Sequence, residues 1–444
     1  MHIAPVTSET TTTRLARHIL TYAQAPLSDA AWTVAKQCVL DWFAVTLAAQ
    51  QEPLVRILRE EAGAAGPATI VGTTQKCSAA DAALVNGSAA HALDYDDCHH
   101  LVGHPSVTVL AAALAVAEAQ GASGEALLRA LIAGVETSAA LGSIMLQTHY
   151  DAGFHATATM GTFGAAAAAG LLLGLDEPQM LMALGLAGMQ AAGLKSMFGT
   201  MAKPLQAGKA AANGVLAARL AQRGFTAHPD VLDTPQGFID THGRARPSSE
   251  IRLAAPGETI IDMLFKYHAA CYMTHSAIEA VTALRKAHRL APADIVAVDL
   301  HVSPGHLKVC DIPAPRTGLE VKFSLRHLVA LAAHGVDTAA SETYSDEIAT
   351  NPVFSAFREK VRVIGDGAGQ TPADIYLTLR SGERLQLHED VGAPTRDLAL
   401  QQDRLKRKFH SLTEPHLGAE RPLRLYAAIE NLDRAGSVEG LLQA

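Results

Sequence analysis

Apolar residues recur at helical spacing along most of the chain, and this pattern predicts a mainly α-helical protein. Up to about residue 265 there is almost none of the alternation that half-buried strands show, apart from a short extended segment near Thr69–Gly72. The predicted helices of this stretch cover residues 9–23, 29–49, 79–92, 106–120, the segment from the 121–124 turn to the His149 region, 156–175, 177–193 and 205–223.

The pattern changes after Cys271, where apolar and polar positions begin to alternate. Residues 295–304 and 361–366 predict two strands, and residues 374–391 predict a hairpin that turns at Ser381-Gly382. Helices are predicted over 274–289, 322–335 and from residue 398 onwards.

These patterns divide the chain into two domains. We predict a mainly α protein with a large all-helical domain formed by both chain ends, residues 1–268 and 394–444. A smaller inserted α+β domain would cover residues 269–393. Aromatic residues make up only 5% of a chain that is 49% hydrophobic, so Ala, Leu, Val and Gly must build the core. That composition favours closely packed helices.

Charge and cysteine content narrow the partners and the compartment. The net charge is −8 and no extended run of Lys or Arg occurs, so we expect no nucleic-acid partner. The five cysteines form no CxxC pair and the N-terminus lacks the apolar segment of a secretory signal, which predicts a cytoplasmic protein with reduced thiols. The apolar run at 156–175 is rich in Ala and Gly, so we expect a buried helix and no membrane partner.

The stretch from Asp94 to Ser106 is the strongest candidate for chemistry. Three carboxylates, three imidazoles and the Cys98 thiol fall between two apolar helices. A buried polar group without a partner costs roughly 1–3 kcal/mol, so such a concentration indicates one wall of an active site. Two alternatives stay open here: a solvated acidic loop, or a zinc site formed by Cys98, His99, His100 and His104. The spacing matches no known zinc signature, so we expect no metal.

Three further polar islands interrupt the apolar pattern at helix ends, at residues 149–155, 195–209 and 266–275. Histidines suit proton transfer near neutral pH, and Lys203 and Lys266 would give a substrate carboxylate its counter-charge. Gly199 and Thr200, before a helix start at Pro204, would offer backbone N–H groups to an anion. Together these elements fit proton abstraction next to a carboxylate. No nucleotide-binding, GxSxG or kinase motif is present.

Taken in order, the islands resemble the MmgE/PrpD family. The resemblance rests on NGSAAHALDYDD (86–97), GHPS (103–106), HYDAGFHATATMGTFGAAAAAG (149–170), GTMAKPLQAGKAAANG (199–214) and KYHAACYMTH (266–275), with KFSL (322–325) and RLKRKFHSL (404–412). It implies that the α+β domain is a lid, that the protein is a homodimer, and that the site lies between the domains and needs no cofactor. Family activities are 2-methylcitrate dehydration, cis-aconitate decarboxylation and iminodisuccinate epimerisation.

The resemblance also implies site residues. Asp94, His104, His155, Lys203 and Lys266 match site positions of the family motifs. Two departures argue against decarboxylation, because decarboxylase-like members carry a histidine at the position of Cys271 and a tyrosine at that of His327. A third is Gln206, where many members have histidine.

We therefore expect an acid–base enzyme acting on a small di- or tricarboxylate, with a 2-methylcitrate dehydratase-like lyase first. The alternatives are an iminodisuccinate epimerase-like isomerase, a cis-aconitate decarboxylase-like enzyme, a carboxylate-binding protein without turnover and a metallohydrolase. The catalytic candidates are His104, His155, Lys203, Asp94, which would fix a neighbouring histidine, and Tyr150, a second proton donor. The substrate-binding candidates are Lys266, Cys271, His275, Gly199, Thr200 and Cys98.

Overall fold

The computed structural model describes residues 9–243 and 251–443 and divides into two compact units. The first unit comprises residues 1–265 and 397–444, and the second comprises residues 266–396. The predicted mainly α class is confirmed, because helices dominate the described residues and strands are few.

Helices build the first unit almost entirely. Ser28 caps the second helix by accepting a hydrogen bond from the Ala31 N–H, as its sequence position predicts. The helices are α1 (Thr11–Thr21), α2 (Asp29–Ala48), α3 (Pro53–Glu61), α4 (Ala79–His91), α5 (Ser106–Gln120), α6 (Gly124–Asp151), α7 (Ala156–Leu172), α8 (Glu177–Gln190), α9 (Ala202–Gln222) and α10 (Phe238–His242). Two short strands, β1 (Ala68–Thr69) and β2 (Lys76–Cys77), pair antiparallel. The chain returns to this unit with α17 (Leu398–Leu417), α18 (Glu420–Glu430) and α19 (Glu439–Gln443).

The second unit combines a sheet with helices, as the sequence predicts. Its strands β3 (Ile295–His301), β4 (Val361–Ile364), β5 (Ala373–Leu379) and β6 (Arg384–Glu389) form a sheet in the order β4-β3-β5-β6. Strands β3 and β4 are parallel and the other pairs antiparallel. Its helices are α11 (His275–His288), α12 (Pro304–Val309), α13 (Gly318–Val321), α14 (Leu325–His334), α15 (Asp346–Thr350) and α16 (Pro352–Arg358).

Small residues let the helices of the first unit approach closely, as the composition predicts. A Cβ added to Gly208 of α9 would lie 2.1 Å from the carbonyl oxygen of Leu84 in α4. A Cβ on Gly87 would lie 2.8 Å from the Val107 carbonyl oxygen of α5. Any side chain there would push the helices apart. This contact brings the start of α9 and the end of α4 together, and the candidate site lies between them.

Helix α6 is long and apolar enough to cross a membrane by length and composition alone. Yet 83% of its apolar window is buried inside the protein, as in a core helix. The Ala- and Gly-rich α7 is also buried along almost all of its length, which agrees with the sequence prediction.

One helix boundary near the candidate site was predicted wrongly. We expected a loop from Lys195 to Pro204, but residues 195–197 form a 3₁₀ turn and α9 begins at Ala202. Proline is tolerated in a first helical turn because its missing N–H would have no intrahelical acceptor there. Lys203 is therefore a helical residue.

Candidate active site

The loop that joins α4 to α5, residues 92–105, is folded inward, and we call it the acidic turn. Its backbone is fixed by reciprocal hydrogen bonds between Cys98 and Leu264 (2.7 and 2.8 Å) and between His99 and Gly103 (2.7 and 2.8 Å). Asp96 and Asp97 are only 1% exposed. The solvated-loop alternative is therefore wrong for these two carboxyl groups.

Asp96 lies between two imidazoles. Its carboxylate is 3.0 Å from His91 Nδ1 and 2.8 Å from His104 Nδ1. Because an ionised carboxylate only accepts hydrogen bonds, both rings donate from Nδ1. Burial alone would raise the pKa of Asp96, but the two histidines hold it well below its usual range.

The two histidines on Asp96 differ in charge. Burial alone would lower the pKa of His104, but Cys98, whose sulfur is 3.7 Å away, and Asp96 raise it to about 10. The pKa of His91 falls to about 4, because burial outweighs the attraction of Asp96. At neutral pH the site therefore holds one imidazolium and one neutral imidazole on the same anion.

Lys203 enters from the first turn of α9. Its ammonium donates to Asp94 Oδ1 at 2.8 Å, and the same oxygen lies 3.8 Å from His104 Nε2. Asp94 has a left-handed backbone with φ of 51°, uncommon for a residue with a side chain, and its carboxylate is 44% exposed. The accessible side of the site therefore carries an ion pair, and His104 Nε2 faces it.

His155 completes the group from the residue that precedes α7. Its ring stacks on that of His91 with a centroid distance of 5.9 Å and meets the edge of Phe198 at 5.0 Å. Burial lowers its pKa to about 2, and the nearby cations act in the same direction. Its Nδ1 is buried and has no hydrogen-bond partner among the described residues. His155 is thus a neutral imidazole beside an ammonium and an imidazolium.

This arrangement can move protons at an anionic substrate. A neutral imidazole can accept a proton, the imidazolium of His104 can donate one, and Lys203 can offset substrate charge. Environments that push the pKa values of neighbouring groups apart are typical of acid–base sites.

The same residues form a donor set that could hold a metal ion. His91, Asp94, Asp96 and His104 each offer one ligand atom within 4.8 Å of the others. These donors differ from the cysteine and histidine set weighed from the sequence. They already bind the Lys203 ammonium and the proton of His104, which a metal would have to displace. The expectation of no metal stays a prediction.

The predicted anion cradle at Gly199 and Thr200 keeps only its Gly199 part as a prediction, because the Thr200 amide is already used. Thr200 N–H donates to the Met197 carbonyl (3.2 Å) and Lys203 N–H to the Thr200 carbonyl (3.1 Å). The Ala202 N–H donates to the Thr200 hydroxyl. These donors are used within the turn.

Tyr150 lies beside another cation. Lys195 Nζ is 3.5 Å from the centre of its ring, and the tyrosine is 38% exposed. Burial raises the pKa of Tyr150, so its phenol stays protonated at neutral pH. Its role as a proton donor stays a prediction.

The candidates Lys266, Cys271 and His275 belong to the second unit. Lys266 and His275 are 2% exposed there, and His275 Nε2 lies 3.2 Å from the Ala270 carbonyl oxygen. Cys271 donates its N–H to the Lys322 carbonyl. Their role in substrate binding stays a prediction.

Sequence reasoning missed His91 and Asp96. We expected Asp94 to fix a neighbouring histidine, and its carboxylate does lie 3.8 Å from His104 Nε2, but Asp96 makes the shorter contact of 2.8 Å and Asp94 pairs chiefly with Lys203. The signal for His91 was present: it ends an apolar helix, where an imidazole is buried and needs a carboxylate within reach.

Comparison with known proteins identifies related chains. The MmgE/PrpD N-terminal domain matches residues 13–250, and the MmgE/PrpD C-terminal domain matches residues 268–434. The cis-aconitate decarboxylase of Mus musculus is 27% identical over 369 residues, which is 79% of this chain and 75% of the mouse protein. The cis-aconitate decarboxylase of Homo sapiens is 34% identical over 49% of this chain and 47% of the human protein. The cis-aconitate decarboxylase of Aspergillus terreus is 31% identical over 50% of this chain and 48% of the Aspergillus protein. The chain thus spans about half the length of the last two relatives.

Proposed function

This chain belongs to the MmgE/PrpD family, and we propose that it moves a proton at a carbon next to a carboxylate of a small di- or tricarboxylate. The observation that carries the proposal is the contrast between His104 and His155. One imidazole is charged and the other neutral at the same pH, beside the ammonium of Lys203. A carbanion or enolate-like state next to a carboxylate needs a base, an acid and a fixed positive charge.

Each group has one role in the proposed reaction. Lys203 exchanges its Asp94 partner for a substrate carboxylate, which keeps the substrate in place. His155 accepts the proton from the carbon, since the arriving negative charge raises its pKa towards neutrality. His104 donates from Nε2, and Asp96 stabilises its charged form from the opposite nitrogen.

Dehydration of a 2-methylcitrate-like substrate is our first candidate reaction. A dehydratase must protonate a leaving hydroxyl, and an imidazolium whose pKa is about 10 is charged and available at neutral pH. Epimerisation of an iminodisuccinate-like compound would use the same groups without loss of water.

Decarboxylation of a cis-aconitate-like substrate is the second candidate, because related proteins in mouse, human and Aspergillus carry that name. Cys271 and His327 argue against it. His327 is fully buried and its pKa is lowered to about 4, chiefly by burial, so it would be neutral and a poor proton donor.

Incubation in D₂O with 2-methylcitrate, cis-aconitate, malate and an aminodicarboxylate tests the proposal. Proton NMR would show an unsaturated product formed by loss of water for a dehydratase and a decarboxylated product for a decarboxylase. Deuterium uptake without either product would indicate an epimerase. A His104→Gln protein is the matched control for background chemistry. Wild-type protein that binds these compounds but neither exchanges nor converts any of them would contradict the proposal and favour a binding protein.

We also propose a homodimer, which the family resemblance implies. Large apolar side chains are exposed around the start of α9, and a second subunit would cover them: Met189, Leu194, Phe198, Met201 and Leu205. Sedimentation velocity should give a dimer for the wild type and a monomer for Met189→Asp/Met201→Asp. A wild-type monomer at micromolar concentration would contradict this proposal.

A further inference from the structure

A buried ammonium from the C-terminal helix lies directly against the acidic turn. Lys408 of α17 is 3% exposed, and its Nζ donates to Asp41 Oδ1 of α2 at 2.6 Å. The same Nζ donates to the Tyr95 carbonyl oxygen at 2.6 Å and lies 3.9 Å from the centre of the Tyr95 ring. One side chain thus joins two distant helices to the acidic turn.

The position of that carbonyl matters for the site. Tyr95 stands between Asp94 and Asp96, the carboxylates that hold Lys203 and His104. The left-handed backbone of Asp94 is sterically unfavourable, so contacts elsewhere must keep the turn in this shape. Tyr95 itself is 1% exposed. The Lys408 hydrogen bond is therefore well placed to fix the direction of both carboxylates.

The charges around Lys408 indicate that this side chain has an electrostatic role as well as a packing role. Asp41 is fully buried, and its second carboxylate oxygen has no hydrogen-bond partner among the described residues. Burial raises the pKa of Asp41, and Asp96 adds to the rise while Lys408 opposes it. The pKa of Asp97 is raised to about 8 by burial and by Asp41. Lys408 hydrogen-bonds to Asp41 beside these buried carboxyl groups. Removing one partner of a buried ion pair destabilises the protein strongly, because the other charge is left buried and unpaired.

We propose that Lys408 is a positioning residue of the active site, because it clamps the Tyr95 carbonyl and so sets the distance from Asp96 to His104. The catalytic consequence rests on the function proposed above, whereas the structural consequence does not. The competing interpretation gives Lys408 a purely structural role as the counter-ion of Asp41.

The pKa of His104 separates the two interpretations. Removal of a nearby cation would by itself raise the pKa of an imidazole. Withdrawal of Asp96 from His104 would lower it. The double variant Asp41→Asn/Lys408→Met removes one charge of each sign, so the direct electrostatic effects largely cancel and the positional effect remains.

The experiment uses ¹⁵N-histidine-labelled full-length protein, with the His104 signal identified by its absence in His104→Gln. We expect its pKa to fall by at least about one pH unit in Lys408→Met and in the double variant. Thermal stability should fall in Lys408→Met and recover in the double variant, which contains no unpaired buried charge. Tyr22→Phe is the control, because it removes a buried hydrogen bond to Glu136 elsewhere in the unit and should leave His104 unchanged.

Turnover gives a second readout on the substrate found in the D₂O experiment. In the double variant kcat/KM should fall about 10²-fold, the size expected for a small misplacement of catalytic groups. In the pH profile of kcat/KM, the loss of activity at alkaline pH should begin at a lower pH than in the wild type. A double variant with the wild-type His104 titration would overturn the proposal, as would a pKa that rises in Lys408→Met. If none of the tested carboxylate compounds is converted, the proposed function is contradicted. The His104 titration still decides the positioning role of Lys408 in that case.

Discussion

Asp96→Asn removes a charge that, with Cys98, holds His104 protonated, and leaves a side chain of nearly the same shape. The carboxylate lies 2.8 Å from His104 Nδ1, and both side chains are largely buried. At an effective dielectric constant of about 20, this separation corresponds to about 6 kcal/mol of attraction. The rise in the pKa of His104 from 6.5 to about 10 corresponds to about 5 kcal/mol at 1.36 kcal/mol per pH unit. Cys98 and Asp96 together overcome burial, and the attraction of Asp96 is of the same order as the net rise.

The variant should therefore titrate His104 well below the wild-type value of about 10, because burial is then opposed chiefly by Cys98. The measurement is a long-range ¹H–¹⁵N correlation of histidine-labelled protein between pH 5 and 9, in which wild-type His104 should stay doubly protonated. Asp94→Asn is the matched control. Its carboxylate is 3.8 Å from the other ring nitrogen but 44% exposed, so near-aqueous screening leaves about 1 kcal/mol and a change below about one pH unit.

The same variant should change the pH dependence of stability. The pKa of Asp96 is lowered in the folded protein, so its contribution is present above about pH 4 and is lost as pH falls. The pKa of His104 is raised, so its contribution is complete below pH 6.5 and is lost as pH rises through about 10. The free energy of unfolding should thus differ most between wild type and Asp96→Asn at pH 4–6.5. An unchanged His104 titration in Asp96→Asn, or wild-type His104 titrating near 6.5, would refute the reasoning.

Three further predictions follow from the site. Lys203→Ala should reduce kcat by about 10²–10⁴-fold, as expected for a general acid–base group, and full activity would remove Lys203 from the mechanism. His155→Gln should abolish deuterium exchange at the substrate carbon while His104 still titrates as in the wild type; exchange at the wild-type rate would exclude His155 as the base. The pKa of Asp97 is raised to about 8, so its contribution is present below about pH 4 and is lost as pH rises through 8. Urea unfolding should therefore show Asp97→Asn gaining stability over the wild type from pH 5 to pH 9, and equal differences at both pH values would contradict a buried, protonated Asp97.

The helical pattern was largely predictable because the apolar positions of this chain mark the buried faces. Predicted helices at 106–120 and 29–49 match α5 and α2 to within a residue. The start of α9 was not predictable in this way. The predicted helix began only after Pro204, whereas Pro204 is the third residue of α9, since an N–H is dispensable at any of the first positions. That small error made the Thr200 amide, which donates to the Met197 carbonyl, part of an expected anion cradle.

The chemistry of the acidic turn was predictable in kind but not in detail. The concentration of carboxylates and imidazoles between apolar helices indicated burial, and Asp96 and Asp97 are indeed buried. Which carboxylate meets which ring depends on the direction of each side chain. The left-handed backbone at Asp94 reverses that direction locally, and a sequence pattern does not encode such a residue unless it is glycine.

The acidic turn shows why residue type alone does not assign acid and base roles. Asp94, Asp96 and Asp97 are chemically identical within four positions, yet the first forms an accessible ion pair, the second is a buried anion and the third is held protonated at neutral pH. Their differences come from what faces each one: the ammonium of Lys203, two imidazoles, or another buried carboxyl group. Because Asp96 is anionic and shielded from water, it can keep His104 charged while burial keeps His91 neutral. The acid of the proposed reaction is therefore created by the second carboxylate of the turn, whereas the first is the partner that Lys203 would exchange for the substrate.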